Sequence, residues 1–490
     1  MSLLLVSGDV SMQAPPASYL VEPGIWAGSC IGAGDDTKTA LHIAWLTQHG
    51  VGCVIDLSSP DDRLPNYTHM LAERAPYIAY HNYPIRDGMV PSPALLVAIL
   101  DDIDVCHRAQ VPIYIHCWGG VGRTGTVLAC WFMRRGITPN AAIRLLNETR
   151  QLAGLKRTAP DFHSQIDFVE QWSEPDVHTR AQWLRWRDLF RGAILGAALG
   201  NAVGVTNDMR SQKNLTHVQD IQGGGIFSIP VGGWTDETAM LLCVTESLIH
   251  MRRFAEHDVA DRFLRWWREG YMTCNGRVYE VGSTTRMALF TYLQTGNPLS
   301  GTSTTTASGN GSVTRVVPVA LFYLSAPTDM LRYTEINSRI THGNPTAVDA
   351  CRYCAWLISI LSTGIDKKSA LLQEWPYEPL SADIRTVVAG SYRHKLIDEI
   401  HTSIDMSDTL EAALWALWHC DDFVSGALAL ANLGGFSESG GQLYGELAGV
   451  FYGESNLPTH WLAKLHKREE IAWMAEELLR STWKNLPLVS

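Results

Sequence analysis

Ten consecutive residues constrain this chain more than any others: His116-Cys117-Trp118-Gly119-Gly120-Val121-Gly122-Arg123-Thr124-Gly125. An apolar run with one proline, Val111 to Ile115, leads in and reads as a short buried strand. The run that follows, Thr124 to Arg135, reads as a helix, with Arg134 and Arg135 complementing its C-terminal dipole. The pattern thus places a cysteine where a strand ends and a glycine-rich turn opens a helix. That geometry aims the amides of Trp118, Gly119, Gly120, Val121 and Gly122 at one spot beside the positive helix end, which is an anion site. A thiolate at Cys117 is stabilised there and is nucleophilic. Arg123 can fold back and grip two oxygens of a phosphate at once, which lysine cannot do. Thr124 offers a hydroxyl beside the thiolate to assist the second half of a two-step displacement. A buried structural cysteine at a tight turn is the other reading of the same residues.

The stretch resembles the phosphate loop of the protein tyrosine and dual-specificity phosphatases: His-Cys, five residues, then Arg-Thr-Gly. The resemblance covers about the first 172 residues and implies an α/β domain that splits phosphate monoesters without a cofactor. Such a reaction needs a general acid for the leaving oxygen. Tyr83 to Pro91 resembles the family's mobile acid loop and offers Asp87, thirty residues before Cys117. Asp101, Asp102 and Asp104 compete by proximity, but the apolar periodicity of Ala94 to His107 makes them the solvated face of a helix. No extra loop for deep phosphotyrosine binding is evident, so the expected pocket is shallow and the class of phosphorylated substrate stays open.

A chain of 490 residues has room for two or more domains with ample cores. Its net charge of −11 argues against a broad nucleic-acid or anionic-membrane surface. Ten cysteines scattered over this length are no disulfide framework, and a reactive cysteine favours a reducing, cytoplasmic setting. Cys351 and Cys354 form a lone Cys-x-x-Cys inside a helical pattern, which reads as core packing rather than zinc. No stretch reaches the ~18–20 apolar residues of a membrane span. The apolar start, Met1 to Val6, lacks the basic flank of a signal peptide.

In chain order, residues 19–29 read as a β-hairpin, Lys38 to His49 as a helix, Val51 to Leu57 as a buried strand, and Asn82 to Ile85 as the end of another. Strands alternating with helices imply a parallel sheet with covering helices. Pro160 to Trp172 reads as the last helix of a first domain spanning 1–175, and the polar stretch Ser173 to Thr179 as a linker. A second domain, 182–490, has long helical patterns and little strand. Its opening helix, Trp186 to Val205, carries glycines at 192, 196, 200 and 204, giving one face that another backbone or a ligand can approach closely. Thr235, Asp236 and Glu237 then put hard oxygen donors at the start of the helix Ala239 to His250, which suits Mg²⁺ or simple capping. Ser308-Gly309-Asn310-Gly311-Ser312 runs into a helix expected over Val313 to Tyr323, a second anion cradle by the same logic. Thr341-His342-Gly343-Asn344-Pro345 precedes a further helix, and Asn432 to Gly440 breaks one helix and starts Gln442 to Tyr452.

These landmarks, in this order, resemble the ADP-ribosylglycohydrolases over roughly residues 186–455. The resemblance implies an all-α bundle whose cleft holds two Mg²⁺ ions and ADP-ribose or an ADP-ribosylated protein. It places Thr235, Asp236 and Glu237 in the first metal cluster, Ser308 to Ser312 on the diphosphate and ribose, and His342 in the cleft. The second cluster departs from the family's Gly-Gly-Asp-x-Asp-Thr: here it reads Gly434-Gly435-Phe436-Ser437-Glu438-Ser439. Phe436 cannot ligate a cation, Glu438 moves its carboxylate out by a methylene, and Asn201 stands where the family often has Asp. The expectation is therefore at most one weakly held Mg²⁺ and low or absent ADP-ribosyl hydrolysis. Three readings compete: a two-headed hydrolase, an active phosphatase carrying a non-catalytic ADP-ribose or nucleotide reader, and a scaffold with no activity.

Overall fold

The computed structural model describes residues 13–32, 34–174, 177–304, 308–483 and 486. Met1 to Val6, residues 175–176 of the expected linker and residues 305–307 before the Ser308–Ser312 loop lie outside them. The chain divides into two compact units, Met1–Leu184 and Arg185–Ser490.

The first unit is built on a five-stranded sheet. Strands β1 (Tyr19–Glu22) and β2 (Ile25–Gly28) form the expected antiparallel hairpin. Strand β2 then runs parallel to β5 (Ile113–His116), which is parallel to β3 (Cys53–Asp56), itself parallel to β4 (Ala79–Asn82). The middle strand is the apolar run singled out by the sequence, and all four of its residues are buried. Its last residue, His116, pairs with Gly28 on one side and Asp56 on the other. Cys117 thus emerges at the carboxyl end of the central strand, where open α/β sheets bind ligands.

Helices α1 (Asp36–Gln48) and α2 (Thr68–Arg74) pack Ile43, Leu46, Met70 and Leu71 against Val54 and Tyr114. Helix α3 (Pro93–Arg108) buries Leu95, Leu96, Ile99, Leu100 and Ile103, which puts Asp101, Asp102 and Asp104 off the core face. Asp102 accepts from Tyr83 Oη and meets His81 Nδ1 at 2.5 Å, while Asp101 and Asp104 pair with Arg134. These three carboxylates are structural. Helix α4 (Gly122–Arg134) starts two residues before the sequence reading, so Arg123 sits in its first turn. Helices α5 (Pro139–Leu152) and α6 (His163–Gln171) complete the unit. The latter starts three residues later than expected: Pro160 packs with Ala159 against Gly125, and Phe162 is an extended N-cap.

The second unit is helical, and among the described residues its extended pairing is limited to isolated bridges such as Arg210 with Gly435. Helix α7 (Val177–Gly204) begins inside the stretch read as linker. Its glycine face is explained by a close crossing with the helix Ser437–Tyr452. A Cβ on Gly192 would lie 2.5 Å from Gly449 O, one on Gly196 2.5 Å from Gly445 O, and one on Gly204 2.5 Å from Ser437 O. The relation is reciprocal, since a Cβ on Gly441 would overlap Gly200 O. Side chains are absent from both faces so that the two backbones can touch. The crossing brings Gly204 of α7 against Ser437 and Glu438, the first turn of its partner helix, and Asn201 against Thr235 and Glu237. Helix α8 (Asp236–Met251) enters the same place with its N-terminus.

One expected helix is shortened. Val313–Arg315 is a 3₁₀ turn, and the α-helix after it covers only Val317–Phe322. Pro318 cannot donate an amide within that run, which explains the break. Ser308 to Ser312 therefore does not open a long helix, and a helix-dipole cradle for phosphate is lost there.

Candidate active sites

In the first unit the turn after β5 has the expected shape. Gly120 takes φ +66°, and any Cβ on it would overlap the backbone of Gly28. Its carbonyl accepts from the buried Arg150 Nη1 at 2.9 Å, which turns the peptide and pins the loop from outside. Trp118 is exposed at the rim, and its carbonyl accepts from Cys30 N at 3.0 Å. A Cβ on Gly122 would lie 2.8 Å from Gln165 Oε1, so α6 closes over the loop. Behind Cys117, His116 Nε2 meets Tyr67 Oη at 2.6 Å and Nδ1 meets the Cys117 carbonyl at 3.1 Å. Tyr67 and Tyr80 in turn reach Asp56. The Thr124 hydroxyl is buried with no hydrogen-bond partner among the described residues, next in sequence to the arginine that faces the loop.

Arg123 is buried and already held by carboxylates. Its Nη1 donates to Asp62 Oδ2 at 2.6 Å and to Ile85 O at 2.8 Å, and its Nη2 lies 3.1 Å from Asp87 Oδ1. Nε has no hydrogen-bond partner among the described residues. Asp62 was not anticipated from sequence. Burial raises its pKa above the usual carboxylate range, against the opposing pull of Arg123. Its position, in the loop just past a strand that neighbours β5, was the available signal. Asp87 does reach the site, and it is 56% exposed, free to swing. Cys117, Arg123, Thr124 and Asp87 are thus brought to one end of the sheet.

In the second unit a cleft of about 60 Å³ is lined by Asp236, Glu237, Glu280, Glu438 and Ser439, together with Gly309, Asn310, Gly311 and His342. Phe436 and Ile404 form its apolar part. Ser308 and Ser312 are turned elsewhere: the first donates to Asp405 Oδ1 at 2.7 Å, and the second is buried against Ser338 and Cys351. Thr235 is the N-cap of α8, and its hydroxyl donates to Glu237 Oε2 at 2.7 Å. Ser439 Oγ donates to Glu237 Oε1 at 2.6 Å, and Asn201 Nδ2 reaches Glu237 Oε2 at 3.2 Å. Asn201 therefore organises the carboxylate cluster it was expected to impoverish.

The structure adds two acids that sequence reading missed, Asp208 just beyond α7 and Glu280 three residues before the helix Ser283–Thr295. With them the acids fall into two trios, Asp208–Glu280–Glu438 and Asp236–Glu237–Glu438. Within each, one ligand oxygen per residue lies within 4.8 Å of the others, and Glu438 belongs to both. Burial, then repulsion from Glu237 and Glu280, pushes Asp208 up to about 8. Burial, then Glu237, pushes Glu280 up to about 7. Asp236 and Glu438 are raised by the same causes, burial first. Asp236 Oδ1 and Glu438 Oε2 are buried with no hydrogen-bond donor among the described residues. Neither oxygen of Asp208 has a donor in hydrogen-bond geometry among the described residues, although the amides of Met209 and Glu438 lie near.

Like-charged buried oxygens without donors fit a hard divalent cation. The expectation of at most one weak cation rested on a ligand set without Asp208 and Glu280. With Phe436 contributing nothing, these acids still provide two groups that can hold a metal ion.

Comparison with known proteins agrees with both halves. Residues 31–137 match the family model "Polymorphic toxin system, DSP-PTPase phosphatase", and residues 183–486 match that of the ADP-ribosylglycohydrolases. The chain is 35% identical over 291 residues to an ADP-ribosylarginine hydrolase, Tri1, of Serratia proteamaculans, covering 59% of this chain and 79% of that protein. It is 28% identical over 300 residues to the ADP-ribosyl-[dinitrogen reductase] glycohydrolase of Rhodospirillum rubrum, covering 60% and 93%. A solved structure described as an ADP-ribosylglycohydrolase-related protein complex is 35% identical, with a TM-score of 0.54, and covers 61% of this chain and 99% of that one. Both matched families are hydrolases, and the chain belongs to the ADP-ribosylglycohydrolase family, carrying a phosphatase domain of the DSP-PTPase kind ahead of it.

Proposed function

We propose that the protein is a two-headed hydrolase whose second unit removes ADP-ribose from arginine side chains with the help of a divalent cation. The observation that carries this is the pair of carboxylate trios sharing Glu438, with orphaned oxygens, in the same cleft as Gly309 to Gly311 and His342. Arginine is the substrate side chain because a relative of 35% identity is an ADP-ribosylarginine hydrolase. Asp208, Glu280 and Glu438, or Asp236, Glu237 and Glu438, would hold the cation. When bound it supplies charge neutralisation and Lewis-acid polarisation of a ligand oxygen. Glu237, held by Thr235, Asn201 and Ser439, keeps the cluster in place. The backbone of Gly309 and Gly311 and the His342 ring, which line the cleft, are offered to the oxygens of ADP-ribose, while the Asn310 amide is already donated to Ile404 O. Hydrolysis breaks the bond from the anomeric carbon to the guanidine nitrogen and adds water across it. Release of ADP-ribose from an ADP-ribosylarginine peptide, with Mg²⁺ and after chelation, tests the reading.

For the first unit we infer cysteine-dependent phosphate monoester hydrolysis. A phosphate entering the loop takes Arg123 through its open Nε and through Nη2, so Asp87 leaves the guanidinium. Cys117 Sγ attacks phosphorus, the bond to the leaving oxygen breaks, and Asp87 gives that oxygen its proton. Asp87 then takes a proton from the water that attacks the cysteinyl phosphate, with Thr124 beside the departing thiolate. Asp62 stays on Nη1 throughout and keeps the guanidinium aimed. Turnover of an aryl phosphate by wild type and Cys117→Ser protein tests this half.

A further inference from the structure

Arg315 is fully buried and has no carboxylate partner in the ion pairs of the described residues. It spends its donors on the walls of the cleft instead. Nη1 donates to Gly311 O at 2.6 Å, and Nη2 donates to Asn337 O at 3.1 Å and to Thr341 Oγ1 at 2.6 Å. Thr341 Oγ1 also lies 2.7 Å from His342 Nδ1. Which atom carries the proton in that last contact follows from counting donors. Arginine has no acceptor, so the Thr341 oxygen must accept from it. The hydroxyl then has one proton of its own, and among the described residues the other partner of that buried oxygen is His342 Nδ1. Were Nδ1 the donor, the Thr341 proton would be buried with no acceptor, which is costly. The arrangement that satisfies every group runs from Arg315 to Thr341 to Nδ1, and it leaves the ring proton on Nε2.

We propose that Arg315 and Thr341 are positioning residues that fix His342 as a neutral imidazole protonated on Nε2, facing the cleft as a hydrogen-bond donor. The ring is aimed at the glycine loop: a Cβ on Gly311 would lie 3.2 Å from His342 Cε1, and one on Gly309 3.5 Å from Nε2. No described residue bonds Nε2, so that donor is left for a ligand. Burial, then the charge of Arg315, also lowers the imidazole pKa to about 3, in keeping with a ring that stays neutral. The ligand atom opposite must be an acceptor oxygen, a hydroxyl or a phosphate oxygen, recognised without a formal positive charge. This rests on the cleft being the ADP-ribose site proposed above.

The test is a long-range ¹⁵N–¹H correlation spectrum of the histidine side chains in the full-length protein, with the His342 signals assigned by their loss in His342→Gln. The expected pattern is the neutral Nε2–H form, unchanged from about pH 5.5 to 8, where exposed histidines titrate near about 6.5. Thr341→Val should release the tautomer and weaken ADP-ribose binding roughly tenfold, and Thr341→Ser should restore both. A merely structural role for Thr341 would move stability and leave the tautomer alone. An Nδ1–H or charged His342 in wild-type protein overturns the proposal whether or not the valine variant folds. So does a folded Thr341→Val protein with unchanged tautomer and affinity. If wild-type protein shows the expected tautomer yet binds no ADP-ribose at millimolar concentration, the relay is supported and the reading of the cleft as an ADP-ribose site falls.

Discussion

At the scale of single residues, Arg123 has three calls on it: Asp62, Asp87 and an incoming phosphate. Removing each carboxylate should have a different kinetic signature. Asp87→Asn keeps the fold and the loop but loses the leaving-group proton, so kcat for an aryl phosphate should fall by roughly 10²–10⁴-fold. Asp62→Ala loosens a guanidinium that must present two donors, and KM should rise by about tenfold, the scale of one lost hydrogen bond to a charged group. Steady-state kinetics on one substrate separates the two. If Asp62→Ala behaves as Asp87→Asn does, Asp62 is the proton donor and the roles are reversed. The sequence made Cys117, Arg123 and Asp87 readable because loop and acid are compact runs with their own turn chemistry. Asp62 lies 61 residues from Arg123, in a loop with no periodicity, and only the order of strands brings it in. Asp208 and Glu280 stayed hidden likewise, one past the end of the glycine helix and one before a helix start, so Asn201 and Phe436 looked like losses.

At the scale of elements, the glycine face of α7 was legible as a surface for close approach, but its partner was not. Gly441, Gly445 and Gly449 repeat the same spacing on the helix Ser437–Tyr452, and each carbonyl of one row meets a glycine of the other. Gly200→Ala, next in sequence to Asn201, which holds Glu237, would drive a methyl into Gly441 O. The expected cost is at least about 3 kcal/mol, the upper end for overpacking, read as a lowered Tm with reduced cation affinity. The carboxylate trios give a pH dependence with a definite sign. Asp208 near 8 and Glu280 near 7 hold protons in the folded, cation-free protein that unfolded carboxylates, titrating near about 4, have already lost. Folded protein thus binds more protons than unfolded between about pH 4 and 8, and stability falls as pH rises through that window. A divalent cation competes with those protons, so Mg²⁺ should raise Tm more at about pH 8 than at about pH 5.5. A rise that is equal at both pH values, or absent in wild type, would count against these acids as its ligands. The shortened run after Ser312 was illegible for a local reason: Pro318 inside an apolar stretch leaves the helix start ambiguous.

At the scale of the molecule, two hydrolase families share one chain, and the candidate site residues of each lie in its own unit. No helix among the described residues is long and apolar enough to cross a membrane. Cys117→Ser should therefore abolish phosphate release and leave ADP-ribosyl hydrolysis at the wild-type rate, and Asp236→Asn should do the converse. Loss of both activities in either variant, with the protein folded, would mean that the two heads depend on each other. The most direct measurement is the rate of ADP-ribose release from an ADP-ribosylarginine peptide by the full-length protein, in Mg²⁺, after chelation, and with Asp236→Asn. Release that needs Mg²⁺ and falls at least about 10²-fold in the variant is the expected result. Binding of ADP-ribose with no release in saturating Mg²⁺ would contradict it and leave the second unit a reader rather than an enzyme.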